Sequence, residues 1–163
     1  MLKQLIILIS LISLGTSCTA SEKVSSMTVK DVGSLHFIAS TFKTDEHKLK
    51  FCGDYLCVID GHLFFGSDGK KPAIITKRFY FKINGHDIDL NITGMFEPGV
   101  TSENISQRIS VEHYWGDFYK VAGRFSDGAG SYIAQWIVSK DGSIRTHLSD
   151  METALDIQGM INR

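Results

Sequence analysis

Residues 78–92, RFYFKINGHDIDLNI, alternate apolar and polar side chains on both sides of an Asn84-Gly85 pair. Asn-Gly is the preferred pair for a two-residue type I′ turn between antiparallel strands. If Ile83 faces His86 across this turn, Lys82 lies opposite Asp87 and one face of the hairpin is wholly apolar. The segment therefore predicts an antiparallel hairpin with one buried face. That face would carry Phe79, Phe81, Ile83, Ile88, Leu90 and Ile92.

The same alternation recurs around other turn signals, at 34–42, 47–51, 55–59, 62–65, 109–115, 118–126 and 131–139. For the last hairpin we predict a three-residue loop over 140–142, because it places Ile144 and Leu148 on the apolar face with Trp136. The chain is thus predicted to be all-β, an antiparallel meander of about nine or ten strands that forms a small barrel or sandwich.

The C-terminus alone has a helical pattern. Ser149 and Glu152 have the spacing of a capping box, and apolar residues follow at helical intervals. We predict a short helix from about Asp150 to Gly159 that packs through Met151 and Leu155.

The first twenty residues resemble a bacterial export signal. Lys3 precedes an apolar run over 5–14 and a small-residue segment over 15–20. Two kinds of cleavage fit: before Cys18, as in a lipoprotein with lipid on that thiol, or near Ser17 or Ala20, which gives a soluble product. We predict a signal over 1–20, a single β-rich domain over 21–163, and a location in the periplasm or at the outer membrane.

Export determines how the three cysteines are interpreted, because disulfides persist in oxidising compartments. Cys18 is either lipidated or removed, which leaves Cys52 and Cys57 as a pair. Zinc would need about four ligands, and a thioredoxin-like site has two residues between its cysteines instead of four. We predict a disulfide across a four-residue turn over 53–56.

Composition and motifs also argue against several function classes. The net charge is −1 and there is no basic run, so nucleic acid is not an expected partner, and a membrane is expected only through lipid on Cys18. The six histidines lack metal-binding spacing, and no nucleophile motif is present. We therefore expect no metal, no cofactor and no enzymatic activity.

Four aromatic residues surround one tight turn at Gly116-Asp117: Tyr114, Trp115, Phe118 and Tyr119. Adjacent residues of a strand face opposite sides, so these four side chains cannot all point inward. Exposed aromatic residues near a loop are favoured binding anchors, whereas inward ones would plug a barrel mouth. Both alternatives stay open, and the irregular stretch 95–107 is predicted to be a mobile loop beside this site.

These features predict a non-enzymatic envelope protein that binds another protein, as periplasmic inhibitors and immunity proteins do. The partner would be a secreted toxin or a cell-wall enzyme. The alternative is a small barrel that carries an apolar ligand, as lipocalins do, which would require an internal cavity of roughly 300 Å³ or more.

Overall fold

The computed structural model describes residues 21–161, so the predicted export signal and Cys18 lie outside the described residues. Eleven strands and two α-helices follow one another along this part of the chain. The strands are β1 Lys23–Val29, β2 Gly33–Thr41, β3 Leu49–Cys52, β4 Tyr55–Ile59, β5 His62–Leu63, β6 Ile74–Ile83, β7 His86–Asp89, β8 Ile109–Trp115, β9 Phe118–Phe125, β10 Tyr132–Ser139 and β11 Gly142–Asp150. The helices are α1 Ile105–Arg108 and α2 Met151–Ile161.

Two four-stranded antiparallel sheets, in the orders β1-β2-β6-β7 and β11-β10-β9-β8, stack face to face. Aromatic rings join them: the Phe37 and Phe125 centroids are 6.2 Å apart, and those of Phe79 and Trp136 are 5.2 Å apart. All four side chains are almost completely buried. The predicted all-β class is confirmed, and of the two predicted architectures the described strands form the sandwich.

The β6–β7 hairpin has the predicted register. Ile83 pairs with His86, and Lys82 pairs with Asp87, whose side chains form an ion pair at 3.3 Å. Phe79 and Phe81 are buried on the inner face. The turn type, the apolar alternation and the cross-strand charge pair all favour this one register, which explains why it could be predicted.

The predicted loop of the last hairpin is wrong. Ser139 pairs with Gly142, so the turn has two residues, and a bulge at Thr146 shifts the register further along. Because the turn has two residues, Ile144 pairs with Ile137 on the outer face and is 64% exposed, although it was predicted to lie inside. Arg145 takes an inward position instead, where its guanidinium donates a hydrogen bond to the Thr93 carbonyl at 2.6 Å.

Strand β1 was not predicted, because the alternation of its apolar and polar residues does not match which of them are buried. Val24, its first apolar residue, is exposed, whereas Ser25 is buried. Pairing with β2 from Lys23 to Val29 defines the strand.

The third sheet, β3-β4-β5, packs over a separate small core. Cys52 and Cys57 are disulfide-bonded with their Cα atoms 5.9 Å apart, as predicted. The predicted four-residue turn is wrong, however, because Cys52 pairs with Tyr55 and Phe51 with Leu56. The disulfide therefore joins a strand end to Cys57, which lies in a bulge beyond a two-residue turn. The small core consists of Phe42, Leu56, Ile59 and Phe96.

The stretch 95–107 is irregular as far as α1, as predicted, and buried apolar side chains anchor it at several points. Met95 and Ile105 belong to the main core, and Phe96 belongs to the small core. Glu97 receives hydrogen bonds from the backbone amides of Ala73 and Ile74. The segment therefore links the two cores.

Helix α2 begins one residue later than predicted. The N-cap is Asp150, whose carboxylate accepts hydrogen bonds from the Thr153 amide at 2.7 Å and the Thr153 hydroxyl at 2.9 Å. These bonds lower the pKa of Asp150. Met151 and Ala154 are half-buried, but Leu155 is 59% exposed, so the predicted packing through Leu155 is wrong. None of the helices within 21–161 is long and apolar enough to cross a membrane.

The layer of rings between the sheets should dominate stability. We expect Phe125→Ala to lower the free energy of unfolding by about 3–5 kcal/mol, because it leaves a cavity among four other rings. Phe118→Ala is the matched control at a more exposed position of the same strand, where a change within about 0.5 kcal/mol is expected. Urea unfolding of both variants measures the difference. Equal losses would contradict the assignment.

The disulfide should fix a turn without holding the fold together. Alkylation of the unfolded, unreduced protein should label neither Cys52 nor Cys57, and mass spectrometry should find their peptide two hydrogens lighter than the reduced one. Replacing both residues with serine should cost about 2 kcal/mol, as expected for a small closed ring. Full labelling without reductant would contradict the bond.

Candidate binding surface

The turn between β8 and β9 presents three aromatic side chains to solvent. Tyr114 is 61% exposed, Trp115 is 72% exposed and Phe118 is 38% exposed. We call these three residues the aromatic tip. Large exposed apolar side chains that lie together on a soluble domain mark interaction surfaces more often than isolated ones do.

A β-bulge explains why the rings of the tip lie together. His113 pairs with Tyr119 and Trp115 pairs with Phe118, which leaves Tyr114 as the extra residue. The bulge thereby places Trp115 beside Phe118, with their ring centroids 6.1 Å apart and their planes only 12° from parallel. Without the extra residue, a regular alternation would not align these two side chains.

Tyr119 lies apart from the tip. Its ring packs edge-to-face on Phe81 at 6.1 Å and contacts the main core. Of the four residues predicted as a partner-binding group, three are therefore exposed and one is part of the interior packing. Of the two alternatives left open by the sequence, Tyr119 follows the inward-facing one, whereas Trp115 is exposed.

Polar contacts hold the base of the tip in place. The Nε2 atom of His113 lies 2.8 Å from the Gly116 carbonyl oxygen and donates a hydrogen bond to it. One step along the sheet, Lys120 and Glu112 form an ion pair at 2.8 Å. Gly116 has a φ of +52°, in the left-handed region that glycine adopts readily. The hairpin is thus fixed locally while its rings stay accessible.

The outer face of this sheet extends the apolar surface beyond the tip. Lys120 pairs with Ile137, and Ile137 pairs with Ile144, so these side chains form one row across β9, β10 and β11. Ile137 is half-buried and Ile144 is exposed. Sequence reasoning missed this extension because it assigned three residues to the loop before Ile144, whereas the two-residue turn pairs Ile144 with Ile137 on the outer face.

The turn over 140–141 lies at the same end of the sheet and carries charge. Lys140 binds both carboxylate oxygens of Asp141, at 2.7 and 2.9 Å. This contact raises the pKa of Lys140, and the nearby carboxylate of Asp117 adds to the effect. The aromatic tip therefore has a charged rim, which is the usual arrangement around the apolar centre of a protein interface.

His47 and His36 each stack on an aromatic ring, and their contacts serve the packing of the fold. The Nδ1 atom of His47 lies 2.6 Å from Asp60, lowering the pKa of that carboxyl, and its ring stacks on Phe42. His36 stacks on Tyr80 at 4.7 Å, and its pKa is lowered, mainly by burial. Within residues 21–161 no three His, Cys, Asp or Glu side chains are grouped so that they could hold a metal ion.

Comparison of the chain with protein-family models, with curated proteins and with solved structures finds no match. The geometry of the aromatic tip and of the outer face behind it is therefore the basis on which a function can be proposed.

Proposed function

We propose that this protein is an exported, non-enzymatic protein of the cell envelope that binds another protein through the aromatic tip. The observation that carries the proposal is the exposure of Trp115, 72%, in a stack with Phe118 on a hairpin that is braced at its base. Trp and Tyr are the residue types most enriched among the side chains that dominate binding energy.

The arrangement of the rings favours binding. Trp115 and Phe118 are already stacked, so a partner would not need to order two independent side chains. Ordering a side chain at an interface costs roughly 0.5–1.5 kcal/mol, and a rigid aromatic anchor reduces that cost. The exposed Tyr114 adds a hydroxyl that can bind a polar group of the partner at the edge of the contact.

The alternative function, a carrier of an apolar ligand, receives less support from the interior. The space between the sheets contains five buried rings in mutual contact, and Phe125 contacts four of them. The five are Phe37, Phe79, Phe125, Tyr132 and Trp136. A ligand in this layer would have to displace close-packed aromatic side chains.

Export is proposed from residues 1–20, and the Cys52–Cys57 disulfide is compatible with an oxidising compartment. The partner would then be a secreted toxin or a cell-wall enzyme, and the protein would act as its inhibitor or immunity protein. Lipid on Cys18 and soluble processing remain the two alternatives for the N-terminus. Processing that globomycin does not block would exclude lipid on Cys18.

The aromatic tip is tested on the partner recovered from envelope extract. Trp115→Ala should weaken the dissociation constant for that partner by about thirtyfold or more, equivalent to about 2 kcal/mol. The melting temperature of the free protein should stay close to that of the wild type, because Trp115 is mostly exposed. Calorimetric titration and thermal unfolding measure the two quantities on the same preparation.

Tyr55→Ala is the matched control, because Tyr55 is 68% exposed on the hairpin of the third sheet. It should leave the affinity unchanged. A loss of affinity in Tyr55→Ala together with unchanged binding by Trp115→Ala would place the partner on the disulfide hairpin and overturn the proposed surface.

A further inference from the structure

A groove of about 690 Å³ lies at the other end of the outer face that carries the aromatic tip. Its floor is formed by β8, β9, β10 and β11, and α1 and α2 contribute its walls. The volume is within the range of roughly 300–1,000 Å³ that is usual for small-molecule sites. The groove is separate from the packed layer between the two sheets.

The apolar part of the groove is aliphatic. Ala122 and Ile133 lie on the sheet, and Ile157 of α2 faces them across the opening. Among the described residues that line the groove, the one aromatic ring is the imidazole of His147, whose Nε2 atom lies 2.7 Å from the Ser149 hydroxyl, and no Phe, Tyr or Trp side chain is present. An alkyl chain suits such a lining better than an aromatic ring system does.

The charged part of the groove is cationic, since Arg108 and Arg124 line it and no carboxylate does. Arg108 is already bound, because it donates hydrogen bonds to the Ser126 carbonyl at 2.9 Å and to Asp127 at 2.8 Å. Arg124 is exposed and has no ion pair or hydrogen bond from its guanidinium within the described chain. One guanidinium therefore remains available, and it lies on β9 beside Ile133 of β10.

Helix α2 covers the groove only loosely. Its exposed apolar residues, Leu155, Ile157 and Met160, are not matched by any fully buried residue of the helix over 151–160. A helix held mainly by its N-cap and two half-buried side chains can shift at little cost, so a chain inserted below Ile157 would gain apolar contact.

The geometry points to a binding site for a single-chain amphipathic carboxylate of the fatty-acid class, with its carboxylate on Arg124 and its alkyl chain between Ile133 and Ile157. Arginine binds a carboxylate through two parallel hydrogen bonds, and a single available guanidinium matches a single negative charge. The aliphatic lining then accommodates the chain. This site does not depend on the proposed protein partner.

The test is calorimetric titration of dodecanoate, below its micellar concentration, into protein produced from the full-length chain. We expect saturable binding with one site, and dodecyltrimethylammonium, which has the same chain and the opposite charge, should not bind. Octanoate should bind at least about tenfold more weakly than dodecanoate, because each buried methylene contributes about fourfold.

Two variants locate the site. Arg124→Gln should weaken dodecanoate binding about tenfold or more, and Ala122→Phe should abolish it by filling the groove. Arg78→Gln, on the first sheet, is the matched control and should leave binding unchanged, as should Trp115→Ala at the aromatic tip. Melting temperatures of all variants distinguish lost binding from lost folding, and a second filling variant, Ile133→Phe, replaces Ala122→Phe if that variant does not fold.

Three results would overturn the site: no saturable binding of dodecanoate, equal binding of the cationic analogue, or binding that survives both Arg124→Gln and the filling variant. Co-sedimentation with phosphatidylglycerol vesicles without binding of free dodecanoate would also overturn it, because the face would then contact a bilayer surface. A failure of this site can be distinguished from a failure of the proposed function, because the proposed function is tested by the affinity of Trp115→Ala for a protein partner.

Discussion

The layer of aromatic rings between the two sheets is the constraint on which the rest of the molecule depends. Phe125 contacts Phe37 and Phe79 of one sheet and Tyr132 and Trp136 of its own. The inward position before it on β9 is Gly123, where a Cβ atom would lie 2.7 Å from the Phe125 ring. The small residue makes room for the large one, so the packing allows little variation at either position.

Two rings of this layer also carry polar groups that organise the segment that follows β7. The Trp136 indole donates a hydrogen bond to the Asn91 carbonyl at 3.0 Å, and the Tyr132 hydroxyl donates one to the Phe96 carbonyl at 3.1 Å. Burial raises the pKa of Tyr132, so the hydroxyl remains a donor. These bonds hold the backbone over 91–96 against the second sheet, which is why the following stretch is anchored rather than loose.

Strand register could be predicted from the sequence where several signals coincide. It could not be predicted where a β-bulge sets the register. The β6–β7 register follows from Asn84-Gly85, the apolar alternation and the Lys82–Asp87 pair together. The bulges at Cys57, Tyr114 and Thr146 each shift a register by one residue, and no local residue preference announces them. Strand β1 was missed for a related reason, because its edge position lets Val24 face solvent.

Two of the places where the sequence did not predict the register are also the places where the candidate binding surface is formed. A bulge brings Trp115 beside Phe118, and the two-residue turn over 140–141 places Ile144 on the same outer face. Without the extra residue on β8, Trp115 would not pair with Phe118 on that face. The second sheet therefore has an inner face that fills the sandwich and an outer face that presents the aromatic tip at one end and the groove at the other. Because the interior of the sandwich is filled by rings, both proposed sites lie on that outer face and neither lies between the sheets.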